Sequence, residues 1–282
     1  MFSIKKTISL ITRLPVRISK ASFSIPEYKY VEVKKEGPAF KIALNIPSTY
    51  NGLSFPLITE IADAVNQANE CKDTKFTVVT GTGKFFSSGM DLRQFLELGT
   101  NGIIRDRHKI EEVFASFVTC FLYHDKLLIG AINGPAIGGA ASMIAFLDYT
   151  VCSDDAYFVT PFTRFGFVPV DLMTVYFPRI MGKIRATEMM LLEKKLTATE
   201  ALECGLVNEV VNKKDVWKAT MEKVKKFDMY DAEHVKAVKK VIKFDDRKIL
   251  EKKSRAEIKI FCDRICESKF VETVKDYYNK KN

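Results

Sequence analysis

A run of 21 residues without a charged side chain, from 127 to 147, constrains the fold of this chain more than any other segment. Such a run is long enough in principle to cross a bilayer as a helix. It contains four glycines and a proline, however, and residues of this kind would break a spanning helix in its middle. A buried strand LLIGAI, a turn NGPAIGG and a buried helix AASMIAFL account for every residue. The segment is therefore predicted to lie in a protein core.

Short strands and amphipathic helices alternate on both sides of this run. YVEVKKEG, AFKIALNI and KFTVVTG have the pattern of strands, whereas SFPLITEIADAVNQANE and residues 105–123 carry apolar side chains at helical spacing. A further helix is predicted to open near Asp91, and almost everything after Lys213 has helical periodicity. No linker-like composition separates these parts. We predict an α/β fold with a core of residues 25–211 and a C-terminal helical extension of the same domain, residues 212–282.

The net charge of +9 is concentrated at the N-terminus. The first 24 residues carry five of the 44 basic residues and none of the 35 acidic ones, and they are rich in hydroxyl and apolar side chains. That composition is typical of a mitochondrial transit peptide. We predict that residues 1–24 are such a peptide and that the mature protein resides in the mitochondrial matrix, with the peroxisome as the alternative. The remaining charge does not predict a nucleic-acid partner.

The six cysteines are scattered through apolar surroundings and form no CxxC pair. Cys262 and Cys266 are four residues apart and would share one helix face, which makes a metal or redox role conceivable. Buried packing explains them more simply, because a free cysteine behaves as a small apolar side chain. The sequence therefore predicts no metal site.

Two loops rich in small residues have the character of ligand-binding turns. In KFFSSGMDL, the backbone N–H groups near Ser88 would be exposed beside the start of a helix. In INGPAIGGAAS, glycines let the backbone approach a ligand closely, and Gly139 lies near the start of the next helix. Two such N–H groups aimed at one point would form an oxyanion hole, although ordinary strand-to-helix turns also use glycine.

The same segments carry a resemblance to a known family. IPSTYNGLSFPLITEI, VVTGTGKFFSSGMDL, KLLIGAINGPAIGGAASMIAFLDYTVCSDDAYFVTPF, FGFVP with FPRIMG, and KKLTATEALECGLVNEVV resemble the crotonase superfamily, also called the enoyl-CoA hydratase/isomerase family. They follow the order and spacing of that family from about Tyr28 to Val211. The pieces SSGMDL, TPF, FPRIM and KKLTA are particularly similar to the enoyl-CoA delta isomerases.

This resemblance implies a spiral of strand-strand-helix turns, with C-terminal helices that form trimers and sometimes hexamers. It implies an acyl-CoA thioester as the ligand and no separate cofactor, since coenzyme A is part of the substrate. The thioester oxygen would accept hydrogen bonds from the backbone N–H groups of Ser88 and Gly139. The loop Ser88, Gly89, Met90, Asp91 and Leu92 would contact the coenzyme A portion. No membrane span is implied.

The acid/base residues depart from the family pattern. The two positions where hydratases carry glutamates match Ser142 and Phe162 here, and neither can act as a general base. The position where delta isomerases carry their single carboxylate matches Val170. Asp171 follows directly and is the candidate proton carrier, although a shift of one residue on a helix rotates a side chain by about 100°. The alternative is an aspartate that stabilises a helix N-terminus.

Two hypotheses of different class therefore stand at this point. The first is an enoyl-CoA delta isomerase of fatty acid oxidation with a modified site, in which Val170 replaces the usual glutamate. The second is a catalytically weak relative that binds acyl-CoA or RNA. Hydration is disfavoured because both matching glutamates are absent.

Overall fold

The computed structural model describes residues 26–243 and 247–280, so the predicted transit peptide lies outside the described residues. The strands are β1 (Val31–Glu36), β2 (Ala39–Leu44), β3 (Phe76–Gly81), β4 (Leu127–Ile132), β5 (Ala136–Ile137), β6 (Tyr149–Ser153), β7 (Tyr157–Val159), β8 (Leu196–Thr197) and β9 (Glu209–Val211). The helices are α1 (Phe55–Glu70), α2 (Arg93–Leu122), α3 (Gly139–Ile144), α4 (Met173–Leu191), α5 (Ala198–Glu203), α6 (Val216–Asp228), α7 (Ala232–Ile242), α8 (Arg247–Ile265) and α9 (Ser268–Asn279). Short 3₁₀ turns lie at Pro47–Thr49, Thr163–Phe165 and Lys213–Asp215.

Two sheets organise the core. The larger has six strands in the order β1-β2-β3-β4-β6-β9, and only the β1–β2 pair is antiparallel. β3 and β4 are buried along almost their whole length, which explains why FTVVTG and LLIGAI are continuous apolar runs. The smaller sheet has the order β5-β7-β8. Strands that alternate with helices and are followed by C-terminal helices confirm the predicted α/β fold.

The 21-residue run folds as the predicted succession of strand, turn and helix, namely β4, β5 and α3. The turn between β4 and β5 has no space for a side chain at Gly134. A Cβ atom on that residue would lie 2.2 Å from the carbonyl oxygen of Lys84, well inside van der Waals contact. Within the described ranges, no helix is long and apolar enough to cross a membrane.

Two of the helices contain a glycine between segments that the sequence predicts separately. α2 begins at Arg93, two residues after the predicted start, and bends at Gly99, whose φ is +61°. α4 joins the segments MTVYFPRIMG and KIRATEMMLLE across Gly182, whose φ is +79°. At both glycines the backbone is not helical, so each of these elements consists of two helical segments joined by a kink, in agreement with the separate segments that the sequence predicts. Glycine adopts positive φ without the steric penalty of other residues.

The C-terminal helices pack against α2 and complete the main core. The ring of Phe114 on α2 lies 5.0 Å from that of Phe261 on α8, and the ring of Phe95 lies 5.3 Å from that of Phe270 on α9. An ion pair between Arg107 Nη1 and Asp263 Oδ1, 2.7 Å long, joins α2 and α8 at their surface. Together α8 and α9 therefore form one wall of the region where the loops that carry Ser88 and Gly139 meet.

Candidate active site

The loop KFFSSGMDL, residues 84–92, is the first of the two predicted ligand-binding loops. Backbone hydrogen bonds hold it against the segment before α1. Leu53 N–H donates to Gly89 O at 2.7 Å, and Asp91 N–H donates to Leu53 O at 3.2 Å. Ser88 N–H donates to Tyr50 O at 2.9 Å. In this pairing Met90 faces the other way, and the described structure contains no hydrogen-bond acceptor for its N–H group.

Gly89 lets the first loop touch the second. Its φ is +78°, and a Cβ atom on it would lie 2.4 Å from the carbonyl oxygen of Ile137. Gly138 N–H, in the second loop, donates to Val159 O at 2.8 Å. Gly139 opens α3, so its N–H group has no partner within the helix and none elsewhere among the described residues. Close backbone contact thus brings two N–H groups without acceptors, those of Met90 and Gly139, to the same site.

This geometry changes one of the two predicted oxyanion donors. The N–H group of Ser88 is already engaged by Tyr50 O, so it has no hydrogen to offer a thioester oxygen without breaking that hydrogen bond. The N–H group of Met90 takes its place beside that of Gly139. Met90 and Gly139 both line two cavities of the site.

Asp171 lies in a turn before α4 and not on the helix. Its φ is +60° and that of the next residue, Leu172, is +58°, both in the left-handed region that ordinary residues rarely adopt. Leu172 is the N-cap residue of α4, and no side chain caps this helix end from that position. Asp171 therefore precedes the N-cap position, and its carboxylate makes no capping hydrogen bond to α4. The expected 100° rotation does not apply either, because the chain is not helical at this residue.

The Asp171 carboxylate is buried with one oxygen unpaired. Its Oδ2 accepts a hydrogen bond of 2.9 Å from the Ser142 hydroxyl and would lie 3.5 Å from a Cβ atom on Gly139. Its Oδ1 is buried and has no hydrogen-bond partner. Burial raises the pKa of this carboxyl to about 7, an effect that the Ser142 hydrogen bond opposes and the charge of Glu257 reinforces. A carboxyl group with such a pKa exchanges protons readily near neutral pH.

An inner cavity of about 30 Å³ adjoins this carboxylate. Its walls are almost entirely apolar, and Val170 lines it together with Asp171. The residues that line it are Leu53, Ile58, Met90, Phe114, Phe117, Gly139, Phe162, Phe167, Val170, Asp171 and Phe261. Val170 and Phe162, which match family positions for carboxylates, are thus placed at the site but contribute only apolar surface. Asp171 is the titratable residue of this lining.

An outer cavity of about 510 Å³ opens next to the inner one. The whole predicted contact loop, residues 88–92, lines it, as does the stretch 48–50. This volume is in the range of cofactor and ligand sites. Tyr277 and Tyr278 of α9 pack against the core and line this cavity as well. Their positions at the end of the chain give no signal of the site.

Another cavity of about 530 Å³ lies between the end of α1, α7 and the start of α8. Its charged side chains are largely neutralised in pairs, for example Arg247 with Asp125 at 3.0 Å and Lys236 with Glu233 at 2.6 Å. The unpaired Asp171 oxygen belongs to the other site, where this residue lines the inner cavity. In the described ranges, no group of three or more His, Cys, Asp or Glu side chains could hold a metal ion.

Comparisons with known proteins identify the family of this chain. The family model "Enoyl-CoA hydratase/isomerase" matches residues 34–282. The chain is 31% identical over 262 residues to "Enoyl-CoA delta isomerase 3, peroxisomal" of Mus musculus, covering 90% of this chain and 80% of the relative. It is also 31% identical over 255 residues to "Enoyl-CoA delta isomerase 2" of Homo sapiens, covering 90% of this chain but 64% of that protein. A solved enoyl-CoA hydratase/isomerase from Pseudoalteromonas atlantica T6c superimposes with a TM-score of 0.76 at 26% identity, covering 89% of this chain and 98% of the other.

The α/β architecture and its C-terminal helices define a crotonase-fold protein. More specifically, the chain belongs to the enoyl-CoA hydratase/isomerase family, whose members act on acyl-CoA thioesters.

Proposed function

We propose that this protein is an enoyl-CoA delta isomerase of fatty acid metabolism that converts 3-enoyl-CoA to 2-enoyl-CoA. The observation that carries this proposal is the Asp171 carboxylate, which has an unpaired oxygen and a pKa of about 7 in the cavity that Met90 and Gly139 also line. Similarity to two delta isomerases supports the same reaction.

In the proposed mechanism, the N–H groups of Met90 and Gly139 donate to the thioester oxygen. They stabilise the negative charge that develops there when a proton leaves C2, an effect worth about 3 to 4 kcal/mol per donor. Ionised Asp171 accepts the C2 proton, and the C2–H electron pair moves into the enolate. The enolate then takes the same proton from Asp171 at C4, so the double bond lies between C2 and C3 and the carboxylate is regenerated.

The apolar walls favour isomerisation over hydration. Water addition needs a general base that holds and activates a water molecule, whereas Phe162 and Val170 fill the surroundings of Asp171 with hydrocarbon. Proton transfer between two carbons of one substrate needs no water. The test is purified protein with 3-enoyl-CoA, followed by the ultraviolet absorbance of the conjugated product, with 2-enoyl-CoA hydration measured in parallel. Binding of a CoA ester without either reaction would favour the alternative of a catalytically weak binding protein.

The inner cavity predicts a preference for short acyl chains. At about 30 Å³, the inner cavity is far smaller than the outer one of about 510 Å³. Its lining includes Phe114 and Phe261, whose ring centroids lie 5.0 Å apart, and Phe167, whose centroid lies 5.1 Å from that of Phe261. We expect wild-type kcat/KM to fall from four- or six-carbon to ten-carbon 3-enoyl-CoA, and Phe114→Ala to reduce this discrimination by about tenfold.

The matched control for this prediction is Phe76→Ala. Phe76 is equally buried but belongs to the separate cluster under α6, so its loss destabilises the protein without opening the acyl cavity. Equal kcat/KM values for short and long substrates in the wild type would contradict the interpretation of the cavity.

We also propose that the protein resides in the mitochondrial matrix, on the basis of the acid-free basic leader of residues 1–24. Deleting this leader from a fluorescent fusion is expected to abolish mitochondrial import, as scored by imaging. The relative from Mus musculus is named as peroxisomal, so peroxisomal signal from the full-length fusion would select the alternative organelle. The trimer implied by the family resemblance stays a prediction.

A further inference from the structure

A second buried carboxylate, Glu257 of α8, contacts the turn that carries Asp171. Glu257 is 5% exposed. Its Oε2 accepts a hydrogen bond of 2.9 Å from Leu172 N–H, and its Oε1 accepts one from the Thr174 hydroxyl. It lines neither the inner nor the outer cavity. Glu257 therefore accepts hydrogen bonds from two donors at the start of α4. These donors, Leu172 and Thr174, precede it in the chain by 85 and 83 residues.

The turn that Glu257 contacts needs such support. Two consecutive residues with side chains, Asp171 and Leu172, adopt left-handed conformations, and each costs on the order of 1 kcal/mol. Within the turn, Met173 N–H donates to Val170 O at 3.2 Å, and the Ser142 hydroxyl donates to the Asp171 carboxylate. The Leu172 side chain is buried, and its N–H group donates to Glu257 of the C-terminal helical region. Without the contact to Glu257, we expect the turn to relax toward the right-handed region and the Asp171 side chain to rotate away from the cavity.

Glu257 and Asp171 form a pair of buried carboxylates whose charges interact. The polar groups that face the pair are Ser142 of α3, Thr174 of α4 and, along α8, Lys253. Burial raises the pKa of both carboxyls, and at Glu257 the hydrogen bonds from Thr174 and Leu172 oppose that rise. One oxygen of Asp171 accepts no hydrogen bond, and the Glu257 charge raises the pKa of Asp171 further.

We propose that Glu257 is a positioning residue that holds the left-handed turn and thereby keeps the Asp171 carboxylate in the cavity. This inference rests on the proposed function, in which Asp171 carries the proton. It assigns to the C-terminal helical region a direct role in the chemistry, in addition to packing.

The test compares Glu257→Gln, Glu257→Ala and the control Glu251→Gln. Gln retains an acceptor for Leu172 N–H but removes the charge, whereas Ala removes both. Glu251 lies on the same helix and bonds Arg255 and Tyr123 at the surface. The steady-state measurements are kcat and KM for the isomerisation reaction, taken from pH 5 to 9. The second readout is infrared titration of the protonated Asp171 carboxyl band, identified as the band missing in Asp171→Asn.

With a pKa of about 7, wild-type protein should retain about a tenth of its maximal rate at pH 6. In Glu257→Gln, the acid limb of kcat and the Asp171 band should both shift to lower pH, so a larger fraction of the rate remains at pH 6. In Glu257→Ala, kcat should fall by about tenfold or more with KM nearly unchanged, because the turn loses its anchor while the cavity lining is intact. Glu251→Gln should behave as the wild type.

An unchanged kcat in Glu257→Ala overturns the positioning role, and an unchanged Asp171 band in Glu257→Gln overturns the effect of the Glu257 charge. If Glu257→Ala does not fold, Glu257→Asp, which draws the acceptor back by one methylene from Leu172 N–H, replaces it with the same expected loss of kcat. If wild-type protein turns over no 3-enoyl-CoA, the proposed function fails. In that case the infrared titration still establishes whether Glu257 controls the carboxylate.

Discussion

Replacing Asp171 by asparagine is expected to lower the isomerase rate by about 100- to 10,000-fold, the usual cost of losing a general base. Asparagine has the same shape and keeps an acceptor for the Ser142 hydroxyl, so CoA-ester binding should change little. Wild-type activity should rise as pH increases through about 7, because the ionised carboxylate is the active form. Single-turnover kinetics and calorimetric binding of a saturated acyl-CoA measure the two effects separately.

Thermal unfolding provides an independent control for this variant. The pKa of the Asp171 carboxyl is about 4 in the unfolded chain and about 7 in the folded protein. The free energy of unfolding therefore decreases as the pH rises between these two values. Asp171→Asn should therefore gain thermal stability relative to wild type at pH 8 and gain less at pH 5.

Adding Val170→Glu to the asparagine variant should restore part of the activity, because it returns a carboxylate to the cavity lining. Full activity of Asp171→Asn would show that the proton carrier lies elsewhere.

The second large effect is expected at Gly89, through steric conflict with the neighbouring loop. An alanine Cβ would lie 2.4 Å from Ile137 O in a residue with φ of +78°, so the loop must move. That movement displaces the N–H group of Met90, the next residue. The loss of one oxyanion donor corresponds to about 100- to 1,000-fold in kcat, measured by the same absorbance assay.

Gly166→Ala is the matched control for Gly89→Ala. Gly166 also has a positive φ, +72°, but a Cβ atom on it would meet no atom within 4 Å. Both variants carry the backbone cost of about 1 kcal/mol, and only Gly89→Ala disturbs the contact between loops. Comparable kcat values in the two variants would contradict the assignment of the Met90 N–H group as an oxyanion donor.

The sequence predicted the fold and the loops that form the site. It did not predict which backbone N–H groups of those loops are free. The strand-turn-helix prediction for residues 127–147 was correct because glycine and proline leave few alternatives. The choice between the N–H groups of Ser88 and Met90 depends on pairing with residues some 37 positions earlier, which no local pattern contains. A loop sequence indicates where backbone groups are exposed, but only the partner segment determines which of them remains free.

Asp171 and Glu257 show a second limit of prediction from the sequence. Aspartate and leucine ordinarily prefer right-handed conformations, so two left-handed residues in succession are a product of tertiary contacts. Glu257, by contrast, does leave a signal in the sequence. It falls on the buried stripe of α8, between Ser254 and Phe261, where an amphipathic helix normally carries an uncharged side chain. An acidic residue on such a stripe indicates a buried acceptor with an unseen donor.

The packing of α8 against α2 has a consequence for how the protein is made. Phe114 and Phe261, which close the acyl cavity, are separated by more than half of the chain, and so are many of the contacts between these helices. During synthesis, the ribosome releases the last helices only after the sheet and both glycine-rich loops have emerged. The nascent chain thus exposes a groove lined with phenylalanine until its final segment docks. We therefore expect the inner cavity to be completed only when α8 docks against α2.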